Sequence, residues 1–229
     1  MMCADAKAWA WLMVWLVFPA LATWTSFTLQ WWPQVLYPLS KVVLVVAPFV
    51  VWRLRSVITA SRQAGVKKTH GLWGLISGAV LGAVIFAAWQ GLFQGQINGD
   101  AIAAKLTSLN LIDHYWSVAL FIAMINSLLE EWYWRGFVFE RLKERNLAVV
   151  WVVLLGGVGF GFHHYFTLIV YFSLPITLFF TFATMVAGAL LSWMRSRGVS
   201  LVDCYISHLI ADVALLWIGW QLLGGTHVI

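Results

Sequence analysis

The chain has 229 residues, of which 62% are hydrophobic and only 10% charged, and its mean hydropathy is +0.85. A soluble domain is about one quarter charged, so this composition argues against a water-soluble fold. The 16 Trp, 15 Phe and 6 Tyr suit a bilayer instead, where aromatic rings gather at the interfaces and pack between helices. The formal charge of +5 does not point to nucleic acid, because the Lys and Arg residues stand in short clusters between apolar runs rather than along one face.

A helix crossing about 30 Å of hydrocarbon needs roughly 20 apolar residues. That ruler predicts seven membrane-spanning helices, at about 8–28, 36–52, 71–93, 115–137, 147–165, 172–194 and 199–223. The first opens on Lys7 like a secretory signal, but its apolar character continues through Trp24 and Phe27, and bulky Trp residues stand where a small-residue cleavage site belongs. It reads as a retained helix. The second contains Pro38 and Pro48 and begins near Lys41, which makes it the least regular. Between the third and fourth lies the polar stretch Gln94 to His114, in which Ile102, Leu106, Leu109 and Ile112 outline a short interfacial helix. Glu140 to Asn146 reads as the turn of a hairpin between the fourth and fifth helices.

The expected fold is all-α, a polytopic transmembrane bundle forming a single domain over 1–229, with no repeat or linker to divide it. With the N-terminus cytoplasmic, Lys7, the cluster Arg53, Arg55, Arg62, Lys67 and Lys68, then Arg135, Arg141, Lys143 and Arg145, and finally Arg195 and Arg197 all fall inside. Of the 14 basic residues only Lys41 and Lys105 then face outward, which favours N-in and C-out. Cys3 and Cys204 lie in unlike settings and form no disulfide framework or CxxC metal motif.

A charge in hydrocarbon costs about 2.5–3.5 kcal/mol on insertion scales, so each one must be paired, interfacial or functional. The fourth helix carries Glu130, Glu131 and Arg135 in LLEEWYWRGF, the fifth His163 and His164 in FGFHHYF, and the seventh Asp203, Cys204, His208 and Asp212 in VDCYISHLIAD. Residues four apart share a helical face, so Glu131 and Arg135 can pair acid-first. Glu130, about 100° around the helix, is then the carboxylate left for general acid or base work. The plainer alternative is that both glutamates serve one buried Arg. If the hairpin is centred near residue 147, rise per residue puts Glu130 level with His164. His208 and Asp212 share a face by the same i, i+4 rule, about 15 Å along the helix from the Arg195–Arg197 loop. A lone core histidine is the bland reading of each imidazole, but three helices contribute ionisable groups together.

In order, placement and spacing, Glu130-Glu131-x-x-x-Arg135, Phe160-x-x-x-His164 and His208-x-x-x-Asp212 resemble the three motifs of the CPBP family, the type II CAAX prenyl endopeptidases and bacteriocin-processing or bacteriocin-immunity proteins. The resemblance covers roughly residues 115–223, with helices 8–93 as accessory elements. It implies peptide-bond hydrolysis inside the membrane, with Glu130 activating a water, His164 positioning it and His208 completing the polar cluster. Glu131 and Arg135 would be supporting residues. The family's third motif ends in Asn or Asp. Asp212 can donate to an oxyanion only when protonated, and otherwise orients His208 or a neighbouring donor. FxxxH spacing selects His164 over its neighbour His163. No metal is favoured, although Glu130, His164 and His208 would be a legitimate zinc set and no HExxH motif is present.

The implied partner is a membrane-anchored protein or peptide substrate, with maturation or removal of a C-terminal sorting tail as the fitting uses. Small size and short loops suit a bacterial inner membrane. Two rival readings stand beside this one. Cys204, His208 and Asp212 at i, i+4 and i+8 suggest thiol chemistry, although groups on one straight helix form a line rather than a converging site. A non-proteolytic immunity protein or an ion- or proton-coupled transporter would also bury Glu and His.

Overall fold

The computed structural model describes residues 2–51 and 71–224, and within them the regular structure is helical throughout, with no strand among the described residues. The basic cluster Arg53, Arg55, Arg62, Lys67 and Lys68, on which the expected orientation leans most, lies outside the described residues. In chain order the helices are α1 (Met2–Thr23), continued by a π-helical turn at Trp24–Thr28; α2 (Pro33–Val51); α3 (Leu72–Ala88), continued by a π-helical turn at Trp89–Phe93; and α4 (Gly99–Ser108). There follow α5 (Ile112–Lys143), α6 (Val149–Leu168), α7 (Leu174–Ser196) and α8 (Leu201–Leu222).

Seven of these helices are long and apolar enough to cross a membrane, α4 being too short. At 1.5 Å per residue the 20 residues of α6 span about 30 Å, the thickness of the hydrocarbon layer. Their outward faces carry large apolar side chains such as Val50, Phe182 and Val202, each more than 60% exposed. Lipid, rather than water, is the solvent in which such faces are stable. The protein is a multi-pass integral membrane protein.

Two boundaries differ from expectation in ways that matter. The second span begins at Pro33, a few residues before the expected start, so that Lys41 lies near the middle of α2 rather than near its beginning. The fourth runs for 32 residues and is not a plain α-helix. Its α-helical segment Ser127–Glu131 is bracketed by π-helical segments Phe121–Asn126 and Trp132–Val138. Such segments use i→i+5 hydrogen bonds, which widen the helix and shift the faces on which neighbouring residues emerge.

The described residues fall into two compact units interleaved in sequence, 2–51 with 129–201 and 71–128 with 202–224. The first contains α1, α2, the second half of α5, α6 and α7. Its core joins Leu12, Leu16 and Leu44 to Tyr133, Trp134, Phe137, Leu142, Val152 and Phe160. Here α6 lies close against α7 because glycines face it. A Cβ on Gly157 would stand 2.7 Å from the Met185 carbonyl oxygen and 2.8 Å from the Ala189 Cβ. Small residues allow this approach where the solvent is lipid and packing, not water exclusion, drives association.

The second unit contains α3, α4, the first half of α5 and α8. The expected interfacial helix is present as α4, capped by Asn98, whose side chain accepts from the Ala101 N–H at 3.0 Å. Its Ile102 and Leu106, with Ile112, pack on Tyr115, Ala119 and Leu223. Asp203, fully buried in α8, accepts from the Gly74 N–H at 3.0 Å in the first turn of α3. A carboxylate against unsatisfied N–H groups at a helix start explains one of the charges found in an apolar helix.

Candidate active site

The two adjacent glutamates of α5 lie in different surroundings. Glu131 and Arg135, both fully buried, form the i, i+4 ion pair at 2.8 Å. The same guanidinium donates to the Gly188 carbonyl at 3.0 Å from α7 and lies 4.4 Å from the centre of the Phe160 ring on α6. One cation thus ties three helices through charge, hydrogen bond and ring face, which is how a buried charge becomes tolerable.

Glu130 turns the other way. Its Oε1 lies 3.3 Å from the Lys41 ammonium of α2 and 3.6 Å from Nε2 of His163. The expectation of a carboxylate left without a cation is therefore corrected: α2 supplies one. Lys41 had read as a flanking topology marker. The signal that could have found it is its position in an apolar run, only three residues after Pro38, where a charge needs the same explanation as Glu130.

Both candidate histidines lie near this carboxylate. One ligand atom from each of Glu130, His163 and His164 lies within 4.8 Å of the others, and the two ring centres are 4.0 Å apart. His163 is fixed by stacking on Trp134 (5.8 Å, 13° between planes), while its backbone carbonyl accepts from the Thr23 hydroxyl of α1 at 2.9 Å. His164 Nδ1–H donates to the Phe160 carbonyl at 2.8 Å, one turn back. That bond specifies the tautomer and leaves Nε2 as the acceptor nitrogen of the neutral ring. The expected level relation of Glu130 and His164 across the hairpin is met, and His163, the rival, stands beside them. Trp134 and Tyr133 are fully buried, and Trp134 forms part of the site wall.

A cavity of about 10 Å³ opens on this group, lined by Thr23, Tyr37, Lys41, Glu130, Trp134 and His163 among others. That is about the volume needed to hold one water.

In the second unit, His208 Nε2 and Asp212 Oδ2 are 3.6 Å apart on one face of α8, and the Ser127 hydroxyl of α5 donates to the same Oδ2 at 2.5 Å. Ser127, fully buried, is a polar partner that sequence reasoning did not single out. Cys204 is fully buried in α8. The charge beside it in the first turn of α8 is the acidic Asp203, of the wrong sign to stabilise a thiolate.

As a zinc set, Glu130, His163 and His164 are right in kind. The Lys41 ammonium 3.3 Å from the Glu130 oxygen is not, because it puts a fixed positive charge where a divalent ion would need a bare carboxylate. The arrangement as it stands fits a carboxylate–imidazole site better than a metal centre.

A multi-span helical protein with a buried carboxylate and two imidazoles beside a water-sized cavity is an intramembrane site equipped for acid–base chemistry. Residues 112–214 match the family described as Type II CAAX prenyl endopeptidase Rce1-like. The family is typically one of proteases. No curated protein and no solved structure matches the chain.

Proposed function

We propose that the chain is an intramembrane endopeptidase that hydrolyses a peptide bond in a membrane-anchored protein or peptide. The observation that carries this reading is the Glu130–His163–His164 group, buried at Glu130 and His163 and half-buried at His164, with its ligand atoms within 4.8 Å, beside a cavity of one-water size. Glu130 takes a proton from the water, whose oxygen attacks the scissile carbonyl carbon, and the same carboxyl then returns the proton to the leaving amide nitrogen. His164, holding Nε2 as an acceptor through its bond to Phe160, orients the water. His208 and Asp212 serve as further catalytic groups, a role supported by the order of the three motifs within the matched residues.

The substrate class follows from the setting: a segment able to enter lipid, such as a sorting tail or a maturing peptide. A cytoplasmic N-terminus is the orientation that the basic residues favour, and small size with short loops suits a bacterial inner membrane.

The test is cleavage of a tail-anchored candidate substrate in proteoliposomes by the wild type and by Glu130→Ala, His164→Ala and His208→Ala. Loss of hydrolysis in each supports the assignment, with Cys204→Ala cleaving normally. Intact cleavage in all three would sink the protease reading and turn attention to a transport or immunity role.

A further inference from the structure

We propose that Lys41 is a positioning residue for Glu130, the resident cation of the site, and that its ammonium keeps the Glu130–His163–His164 group from taking up a divalent metal. The proposal rests on the reading of Glu130 as the working carboxylate, but its geometry is independent of any substrate. Lys41 projects from the middle of an apolar helix, with only 12% of its side chain exposed. A buried ammonium persists only where an anion or an aromatic face compensates for lost water. Lys41 has both, with Glu130 Oε1 at 3.3 Å and the Tyr37 ring centre at 4.9 Å. Tyr37 is itself held by edge contact with Phe27, at 5.1 Å between centres.

Two groups converge on one carboxylate oxygen. Lys41 Nζ and His163 Nε2 both approach Oε1, at 3.3 and 3.6 Å. A carboxylate held this way cannot rotate without breaking the ion pair, so Oε2 is presented in a single direction. This is the kind of preorganisation that a general base needs. The same contacts work against a metal. Zinc would bind the carboxylate and imidazole nitrogens at about 2.0–2.2 Å, which would bring a doubly charged ion up to the buried ammonium of Lys41.

The proposal makes a prediction that a purely structural lysine does not. In Lys41→Met the shape of the side chain is nearly kept and the charge removed, so the three donors become an ordinary zinc or cobalt site. Purified full-length wild type, Lys41→Met, Lys41→Arg and the double variant Lys41→Met/Glu130→Gln would be dialysed against Zn²⁺ or Co²⁺ in detergent. Bound metal would be counted by mass spectrometry, with Co²⁺ absorption reporting geometry.

The expected result is about one metal per chain in Lys41→Met only, and little in the other three. Stoichiometric zinc in the wild type, or none in a Lys41→Met protein that still shows the wild-type thermal transition, overturns the proposal. On substrate, Lys41→Met assayed free of metal should lose kcat with KM little changed, while Lys41→Arg, which can hold the carboxylate with its own cation, recovers most of it. A fall in KM-related binding alone, with kcat kept, would also overturn it. Should the wild type cleave nothing, the metal counts still decide the role of Lys41, so the two readings fail separately.

Discussion

Glu130 and Glu131 are adjacent in one short α-helical segment, yet one is sealed and the other is equipped to react. Glu131 faces a guanidinium that is also bound to Gly188 and covered by Phe160, and nothing in that arrangement can move without breaking a buried pair. Glu130 faces a buried ammonium, two imidazoles and a small cavity. Ion pairing alone therefore does not separate the structural carboxylate from the one proposed to be catalytic. Room for a water and a neighbouring proton acceptor do.

The largest effect is expected on the Glu130 side. Glu130→Gln should lower hydrolysis by a factor on the order of 10²–10⁴, the usual share of a general acid–base group. It should disturb thermal unfolding in detergent less than Glu131→Gln does. Equal loss of stability with activity kept would reverse the roles assigned to the two residues. Next is Arg135→Leu, which strands the Glu131 carboxylate in a dry core and should cost about 3–5 kcal/mol, read from the unfolding transition of the purified protein. The pair replaced together by apolar residues of similar size should be markedly less damaging than Arg135→Leu alone.

A smaller effect is expected where packing, not charge, holds the site level. A Cβ on Gly161 would stand 2.5 Å from the Met185 backbone nitrogen and 2.7 Å from its Cα, so α6 must shift against α7. Gly161→Ala should cost about 1–3 kcal/mol and reduce activity through the displaced His163 and His164. Undiminished activity would mean that the register of α6 is not what places the imidazoles. The smallest effect belongs to Thr23→Val, which removes the hydroxyl bond to the His163 carbonyl and should cost about 1 kcal/mol in the same unfolding measurement.

The seven spans were legible because bilayer thickness fixes length so tightly that a run of apolar residues is almost a measurement. The Glu131–Arg135 pair was legible for a similar reason, since i, i+4 spacing is a property of the helix itself. Lys41 was not, because its meaning depends on which helix lies opposite, and a lysine near a proline reads equally well as the end of a span. That His163 would stand beside His164 at the carboxylate was not legible for a subtler reason. Adjacent helical residues point about 100° apart, but imidazoles are long enough for both to reach one carboxylate, so spacing selects a face without excluding its neighbour. The π-helical segments that flank Ser127–Glu131 left no trace in the apolar pattern, and neither did the reach of Ser127 to Asp212.

The ion pair between Lys41 and Glu130 bears on how much of the chain can be treated as a portable module. The family match covers residues 112–214, whereas the cation that faces its first glutamate belongs to α2, more than sixty residues upstream of the matched stretch. A chimera that transplants the matched segment onto another set of leading helices would inherit the carboxylate and lose its counter-ion. Among relatives, the leading helices are then free to diverge in sequence only so far as they keep a positive side chain at that depth, or the site must find its charge balance elsewhere.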